Sequence, residues 1–365
     1  MGQATKAKFL AAGPLHRDLT LRVAKHFADA GTRERDLPRM YLKTAVILGW
    51  LAASWVFVVF FAAGPLSAIA GCISLALAIA GVGFSVQHDA NHGGFSDSRW
   101  VNGAIGTLLD LIGGSSYVWR WKHNVFHHSH PNVVGLDSDV DVGVFGRLAP
   151  AQPQRAPYRF QHFYMWFLYG FLAMKWHFVD DVHDTIMGRV GNQKMPRPTG
   201  WMLTKLIGGK LLFIGWALVI PALFHPLWQV ALGYLLTSFV LGITLSVAFQ
   251  LAHCVSDADF PEIPAAPRST FEGDWAAHQI RTTVDFAPRN RLVTWYLGGL
   301  NFQVVHHLFP QVCHLHYPAL SRIVDQTCRE HGVRYRTHRT LRAALGSHAR
   351  WLKRMGGALP SQVNA

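Results

Sequence analysis

Apolar residues are concentrated in four stretches of the chain, each close to the roughly 20 helical residues that cross a bilayer. Three of the stretches contain no charged residue, and the third carries Lys205 and Lys210 near its start, where long side chains can reach the membrane surface. Gly64-Pro65 separates the first pair and His225-Pro226 the second pair, so each pair is joined by a tight turn. The pattern predicts four transmembrane helices arranged as two hairpins, over residues 45–63, 66–84, 206–224 and 227–249.

Basic residues lie on one side of these predicted hairpins. Neither tight turn contains lysine or arginine, and the middle loop and the C-terminal segment are basic. The segment before the first span carries Lys6, Lys8, Arg17, Arg22, Lys25, Arg33, Arg35, Arg39 and Lys43. Because cytosolic loops collect lysine and arginine, both termini and the middle loop are predicted to be cytosolic. The predicted division is a cytosolic segment 1–42, a membrane domain 43–330 and a basic tail 331–365.

Two further apolar segments are harder to place. Residues 101–112 are short and include Asp110, and residues 160–178 are aromatic but include Lys175. Both are predicted to be helices lying in the membrane interface. A fifth span at 160–178 is the alternative, but it would leave an odd number of crossings and would split the histidines between the two sides.

Composition favours one membrane-embedded unit. Of 365 residues, 50% are hydrophobic and only 15% are charged, against about 25% in soluble domains. A soluble helical protein with very apolar core helices is the alternative. The net charge of +13 is explained by cytosolic loops that could also attract anionic lipid or an acidic partner, so no nucleic-acid binding is expected. The four cysteines form no CxxC pair and are expected to be reduced, and no cleavable signal peptide is expected at the start.

The 21 histidines carry the candidate chemistry, because many of them fall in three clusters. The clusters are His88-Asp-Ala-Asn-His92, His123-Asn-Val-Phe-His127-His128 and Gln303-Val-Val-His306-His307. Residues four apart share a helix face, so the outer histidines of the first cluster can point at one metal ion, and so can His123 and His127. His128 is expected to turn about 100° further, toward a neighbouring ion.

These clusters predict a centre of two metal ions. Imidazole suits iron, copper, zinc and nickel, and seven or eight imidazoles are too many for one ion. No HExxH sequence is present, which disfavours a zinc protease. All three clusters are predicted to lie on one side, near the membrane surface. The expected fold class is therefore an all-α integral membrane protein with a cytosolic helical cap that holds a di-metal site.

The histidine clusters and their flanking residues resemble the membrane fatty acid desaturases, whose signature is three histidine boxes around two helical hairpins. The resemblance spans about 40–330 and is closest to the linoleoyl-CoA or front-end acyl desaturase subgroup, in which glutamine opens the third box. The matching sequences are His88-Asp-Ala-Asn-His92-Gly-Gly, Trp119-Arg-Trp-Lys-His-Asn-Val-Phe-His-His128, Gly298-Gly-Leu-Asn-Phe-Gln-Val-Val-His-His-Leu-Phe-Pro310, Cys313-His-Leu-His-Tyr-Pro318 and His278-Gln-Ile-Arg-Thr-Thr283.

This resemblance implies a di-iron site that uses O2 to insert a C=C bond into an acyl chain. The implied iron ligands are His88, His92, His123, His127, His128, His306 and His307, with His253 in the place of a further family ligand after the fourth span. Gln303 is a candidate ligand, directly or through water. Asp89 is the preferred carboxylate partner for a ligand imidazole, whereas the run 137–141 is expected to be a solvated loop, with a place behind the ligand imidazoles as the alternative. A surface or interface position is expected for six further histidines, with hydrogen bonding to ligands or substrate as the alternative; they are His130, His162, His183, His278, His314 and His316.

Several choices stay open at this stage. Val305 stands where this box more often has an acidic residue, so a hydroxylase, ketolase or acetylenase on the same site is an alternative. A membrane metal transporter or sensor is the alternative from another class. The substrate carrier could be coenzyme A, acyl carrier protein or a membrane lipid. No HPGG haem motif is present, so a separate electron donor is expected, either a ferredoxin or a haem cytochrome with its reductase.

Overall fold

The computed structural model describes residues 8–9, 13–264, 270–271 and 273–357. The first residues of the predicted cytosolic segment, Lys6 among them, and residues 358–365 of the predicted tail lie outside the described residues. The described chain is mainly helical.

The α-helices are α1 (Pro14–Ala30), α2 (Pro38–Val56), α3 (Pro65–Gly81), α4 (His88–His92), α5 (Arg99–Gly106), α6 (Leu108–Leu111), α7 (Ser116–Trp119), α8 (Gln161–Leu168), α9 (Leu172–Lys175), α10 (Asp181–Met187), α11 (Trp201–Ile214), α12 (Ile220–Ala222), α13 (Leu227–His253), α14 (Trp275–Thr282), α15 (Arg291–Tyr296), α16 (Gln303–Leu308), α17 (Tyr317–Glu330) and α18 (Leu341–Gly356). The π-helical segments are Phe57–Phe61, Val82–Gln87, Arg120–His127, Trp176–Asp180 and Gly215–Val219, and the 3-10 segments are Gly143–Phe145, Ala156–Phe160, Tyr169–Phe171 and His314–His316. Short strands pair as β1 (Lys8–Phe9) with β4 (Thr270–Phe271) in parallel, β2 (Arg189–Val190) with β3 (Gln193–Lys194) antiparallel, and β5 (Asp285–Phe286) with β6 (Thr337–His338) in parallel.

Four helical runs are long and apolar enough to cross a membrane, and we call them spans 1 to 4. They are Pro38–Phe61, Pro65–His92, Trp201–Ala222 and Leu227–His253. The four predicted long helices are therefore present. Spans 2 and 4 continue beyond their predicted ends at 84 and 249, so that span 2 carries the first histidine cluster and span 4 ends on His253. Proline at the first position of α2 and α3 suits a helix start, where no backbone donor is lost.

Span 2 is the central helix of the four. In its most apolar window 67% of the residues are buried, against 17–22% in the other three spans. It packs against spans 1 and 4, and side chains tie the neighbours together. Trp50 Nε1 donates to Ser74 Oγ at 2.9 Å between spans 1 and 2, and Trp55 Nε1 donates to the Trp216 carbonyl at 3.0 Å between spans 1 and 3.

Helices α1, α14, α16, α17 and α18 pack around the histidine-carrying ends of the spans, and we call them the cap. One buried cluster joins the apolar faces of α1, α14, α16 and α17, and a second joins α8, the end of α13 and α18. The region from 156 to 187 is a succession of short helical segments that exposes Phe163, Phe167 and Phe171. Its location in the membrane interface stays a prediction.

The described part of the predicted basic tail is folded against the cap. Thr337 and His338 pair with Asp285 and Phe286. In α18, His348 is fully buried, with its Nδ1 2.6 Å from the Cys254 carbonyl and its Nε2 2.8 Å from the Tyr169 hydroxyl. This helix therefore contacts the chain directly after His253.

Candidate metal centre

The first histidine cluster lies on the last turns of span 2. The α-helix passes through the π-helical segment Val82–Gln87 before it reaches His88 and His92, and Gly93 ends it with a φ of 81°. Such π segments are rare and recur at functional sites. Because the cluster continues a central buried helix, both imidazoles are held at the end of the bundle and are less than a tenth exposed.

The second cluster lies in a π-helical segment, not in the α-helix that its spacing predicted. Its backbone bonds span five residues, as between the His128 N–H and the His123 carbonyl at 3.0 Å. This wider turn brings His128 back toward His123, and their Nε2 atoms lie 3.2 Å apart. The expected turn of His128 about 100° beyond His127, toward a neighbouring ion, stays a prediction.

The third cluster lies on α16, which is buried along its whole length. The loop before it passes so close to span 2 that a Cβ at Gly298 would lie 2.4 Å from the Phe84 carbonyl oxygen, and its φ is 59°. Only glycine suits that backbone conformation at such a close approach. At the start of the helix, Asp285 Oδ1 accepts from the Val304 N–H at 2.9 Å. These contacts fix the position of the third cluster relative to span 2 and the direction in which α16 begins.

All eight predicted ligand histidines converge at one place. Ring nitrogens lie within 4.8 Å of one another in three overlapping groups, which are His88 with His92, His123 and His306; His127 with His253 and His307; and His128 with His306 and His307. His253 joins them from the last turn of span 4, with its ring centroid 4.7 Å from that of His127. Elements more than 200 residues apart in sequence therefore contribute to one buried cluster.

The cluster has the properties of a metal site. Buried ring nitrogens without a hydrogen-bond partner occur at His92, His127, His128, His253, His306 and His307. An unpaired buried nitrogen is costly unless a partner such as a metal ion satisfies it. His123 Nε2 also faces the Nε2 atoms of both His88 and His128 at 3.2 Å. The donors present therefore fit metal ions that accept imidazole nitrogen.

The electrostatics also suit neutral imidazole ligands. Burial first, and neighbouring histidines second, hold the ring pKa well below its ordinary value at His123, His128, His306 and His307. A metal-binding imidazole must be neutral at the nitrogen that binds, so these shifts favour the binding form. At His127 burial would lower the pKa, but the Asp137 carboxylate outweighs it and raises that pKa above its ordinary value.

Asp137 is part of the site, so the prediction of a solvated loop over 137–141 is wrong at this residue. Asp137 is only 2% exposed, and its Oδ2 lies 2.9 Å from His127 Nδ1. The backbone N–H groups of Asn132 and Asp139 donate to the same carboxylate at 2.9 Å each. The loop folds inward because the Asn132 side chain donates to the carbonyls of His253, Asp259 and Thr282.

Gln279 is a site residue that the sequence did not single out. Its Oε1 lies 2.8 Å from His307 Nδ1, and its Nε2 donates to the His128 carbonyl at 3.0 Å. It therefore fixes one ring and one backbone segment of the centre at once. The available signal was the segment His278-Gln-Ile-Arg-Thr-Thr283, in which His278, and not Gln279, was the candidate residue.

Gln303 and Asp89 have different surroundings. Gln303 Nε2 lies 3.0 Å from His253 Nε2, at the edge of the imidazole cluster. Asp89 Oδ2 instead lies 2.7 Å from His314 Nδ1, whose Nε2 is 2.8 Å from Lys43 Nζ. Within the described residues, the hydrogen bonds of the Asp89 carboxylate go to His314 and to none of the eight predicted ligands. The predicted surface position is wrong for His314, which is 2% exposed, and for His278, which is 8% exposed.

Residues 63–339 match the model of the family described as fatty acid desaturase. The chain belongs to the fatty acid desaturase family. Among the proteins similar to this desaturase, an sn-1 linoleoyl-lipid 6-desaturase of Synechocystis sp. is 39% identical over 357 residues, covering 97% of this chain and 99% of the relative. A protein of the same name from Arthrospira platensis is 37% identical and covers 93% of this chain and 92% of the relative. The acyl-lipid (8-3)-desaturase of Physcomitrium patens is 37% identical and covers 92% of this chain and 70% of the relative.

This desaturase is thus an oxidoreductase of acyl lipid metabolism whose catalysis depends on metal. The predictions of the family, the enzyme class and the acyl desaturase activity are confirmed. Its four candidate spans agree with a membrane-bound family.

Proposed function

We propose that this desaturase inserts a C=C bond into an acyl chain of a membrane lipid, using O2 and two electrons at a centre of two iron ions. The observation that carries the proposal is the convergence of eight buried imidazoles, six of which have a ring nitrogen with no hydrogen-bond partner. Two of the relatives are named for a linoleoyl-lipid and a third for an acyl-lipid, which supports a lipid carrier over coenzyme A or acyl carrier protein.

The proposed iron ligands are His88, His92, His123, His127, His128, His253, His306 and His307. Gln303 is proposed as the hydrogen-bond partner of His253, because the Nδ1 of that ring remains unpartnered for metal binding. A reduced centre of this kind supplies the O2 chemistry that breaks unactivated C–H bonds. The overall balance is one O2, two electrons, two protons and one CH2–CH2 unit giving one CH=CH unit and two water molecules.

The protein's own residues hold and shield this centre. Asp137 and Gln279 accept from the outer nitrogens of His127 and His307, which orients both rings. The Trp119 ring stacks on His123 with 4.4 Å between ring centroids and screens that side from solvent. An acyl chain bound against these rings would present one C–H pair to the centre, and its exact placement decides between desaturation and hydroxylation.

We further propose that the four spans form two hairpins with both termini, the middle loop and the cap in the cytosol. The absence of lysine and arginine from both tight turns supports this orientation, as does the basic composition of the other segments. In this arrangement residues 1–42 and 331–357 belong to the cytosolic face, and 43–330 form the membrane domain. The electrons are proposed to come from a separate ferredoxin or haem cytochrome with its reductase.

Expression of the full chain in a host with a compatible reductase, followed by lipid mass spectrometry, tests the function. We expect new lipids two mass units lighter than their precursors, and no products sixteen units heavier, which hydroxylation would give. His127→Ala should abolish the product because it removes one ligand and leaves the buried Asp137 carboxylate without its hydrogen bond to that imidazole. Arg289→Ala, at an exposed residue outside the centre, should leave the yield within twofold of wild type.

The metal content of the purified protein is a second test of the proposed function. Two iron ions per chain are expected for wild type, with a lower content for His127→Ala. Retained product in the histidine variant, or tightly bound zinc in place of iron, would contradict the proposal.

A further inference from the structure

The helix α14 lies between the imidazole cluster and a recess in the protein surface. On the inner face of this helix, Gln279 contacts His307 Nδ1 and the His128 carbonyl. On its outer face, His278 and Arg281 line a recess of about 780 Å³. Since a helix is about 10–12 Å across with its side chains, the recess and the cluster are one helix thickness apart. The proposed function requires two electrons to cross from the surface to this cluster, and the following inference rests on it.

The recess lies between α14, the loop 256–261 and α18, and its walls carry more free positive than free negative charge. Arg281 and Arg354 line it, and both are exposed. Asp259 and Asp274 also line it; Asp259 is paired with an arginine, whereas Asp274 has no cationic partner among the described ion pairs, so two free arginines face one free carboxylate. Asp259 accepts from Arg336 at 2.8 Å, and Asp274 accepts from the backbone N–H groups of Ala276 and His16.

The rim of the recess adds to this positive charge. Residues 331–365 contain seven arginines and lysines and no aspartate or glutamate. On α18, Arg350 and Lys353 are exposed beside Arg354. Across the described parts of the chain, the ion pairs include none of Arg281, Arg350, Lys353 and Arg354, whereas the neighbouring Arg336 pairs with Asp259. These four cations are therefore available to a partner.

We propose that the recess between α14 and α18 is the docking surface for an acidic protein that carries one electron at a time. Opposite charge on the two surfaces steers encounter and fixes the orientation of the partner. A redox group seated in the recess would face the helix that holds Gln279 and His307, so electrons have a short path. Two successive dockings deliver the two electrons of the reaction, and the oxidised carrier leaves after each.

The test compares two reductants on the full-length enzyme in lipid nanodiscs. One is a plant-type [2Fe–2S] ferredoxin, which is acidic, and the other is dithionite with methyl viologen, which needs no docking. The variants are Arg350→Glu/Arg354→Glu on α18 and Arg281→Glu on α14. The control is Arg289→Glu/Arg291→Glu, which changes net charge equally at two exposed arginines that do not line the recess. The readout is the ratio of the ferredoxin-supported rate to the viologen-supported rate.

We expect this ratio to fall about 10-fold to 100-fold in the α18 double variant at low salt, and the deficit to shrink in 0.5 M NaCl as screening increases. The control should stay within twofold of wild type. An unchanged ratio in both recess variants would overturn the proposal, as would an equal fall in the control. A loss that is the same with both reductants and tracks the anionic lipid content would assign the recess to lipid headgroups instead. Absence of product with viologen in wild type would refute the proposed function itself, separately from the docking surface.

Discussion

The centre depends on side chains that hold the outer nitrogens of its imidazoles. Asp137 holds His127, Gln279 holds His307, and the Tyr317 hydroxyl lies 3.4 Å from His306 Nδ1. Such partners set which ring nitrogen faces the metal and raise its basicity. They are the residues through which the protein tunes the imidazoles of the centre.

Asp137→Asn should lower the iron content and the desaturation rate about 10-fold to 100-fold, the usual effect of losing a carboxylate behind a metal-bound imidazole. The amide keeps the volume but can no longer balance charge on His127. Iron per chain by mass spectrometry and product formation under excess ferrous iron measure the two effects. Asp141→Asn is the matched control, because Asp141 is exposed and only accepts from the Gly143 N–H. Equal losses in both variants would mean that the effect comes from the loop and not from the contact with His127.

The sequence predicted the ligand histidines but not the residues behind them. Histidine spacing repeats within each cluster, so His88, His123 and the others could be picked out from a single chain. Gln279 lies in a segment that resembles the family, but the contacts that make Gln279 and Asp137 site residues join segments that are distant in sequence. Asp89 was preferred to Asp137 as the carboxylate partner, yet its side chain contacts His314.

At the scale of elements, all four predicted long helices are present. Spans 2 and 4, however, extend further than predicted, to the histidines at their ends. Hydropathy falls where histidines, asparagine and aspartate enter, so the pattern ended span 2 at 84, although the helix continues to His92. The last turns of span 2 are polar, and they are buried by packing within the protein. The π-helical segment at Arg120–His127 could not be read from spacing, because i, i+4 and i, i+5 pairs of histidines occur together there.

Gly298→Ala should separate the third cluster from span 2. A Cβ at this position meets the Phe84 carbonyl oxygen at 2.4 Å, and alanine at a φ of 59° costs about 1–2 kcal/mol even without the clash. The loop must shift, which carries α16 and its histidines with it. We expect a lower midpoint of thermal unfolding and a loss of product larger than the loss of folded protein.

The matched change is Gly49→Ala in α2, where a Cβ meets nothing within 4 Å and a helix gains about 0.5–1 kcal/mol. That variant should be at least as stable as wild type and fully active. Normal activity in Gly298→Ala would show that the close approach to span 2 is not required.

At the scale of the whole molecule, the segment predicted to be a basic tail closes the cap around the end of span 4. Its composition is that of a solvated tail, with no acidic residue, but its apolar residues recur with helical spacing. In the fold, Trp351 and Leu352 of α18 are buried beside Cys254 and Tyr169. The charge of this segment therefore did not indicate α18, whose buried face packs against the chain next to His253.

This buried arrangement predicts that stability falls with acidity. Burial lowers the pKa of His348 to about 4, of His278 to about 4 and of His177 to about 3, all below the roughly 6.5 of an unfolded chain. The unfolded state therefore binds more protons as the pH drops below about 6.5, so the folded state loses stability down to about pH 4. Each such group contributes up to about 1.4 kcal/mol per pH unit within that window.

His348→Gln isolates the contribution of one of these groups. The variant should be less stable than wild type at pH 7.5, because the contacts with the Cys254 carbonyl and the Tyr169 hydroxyl are remade imperfectly. Its loss of stability between pH 6.5 and pH 5 should be shallower by about 1 kcal/mol per pH unit. Denaturant unfolding in detergent across that range measures both effects. His183→Gln is the control, since the side chain of His183 is 57% exposed. Parallel curves for wild type and His348→Gln would show that this imidazole is not the group whose protonation opens the contact between α18 and span 4.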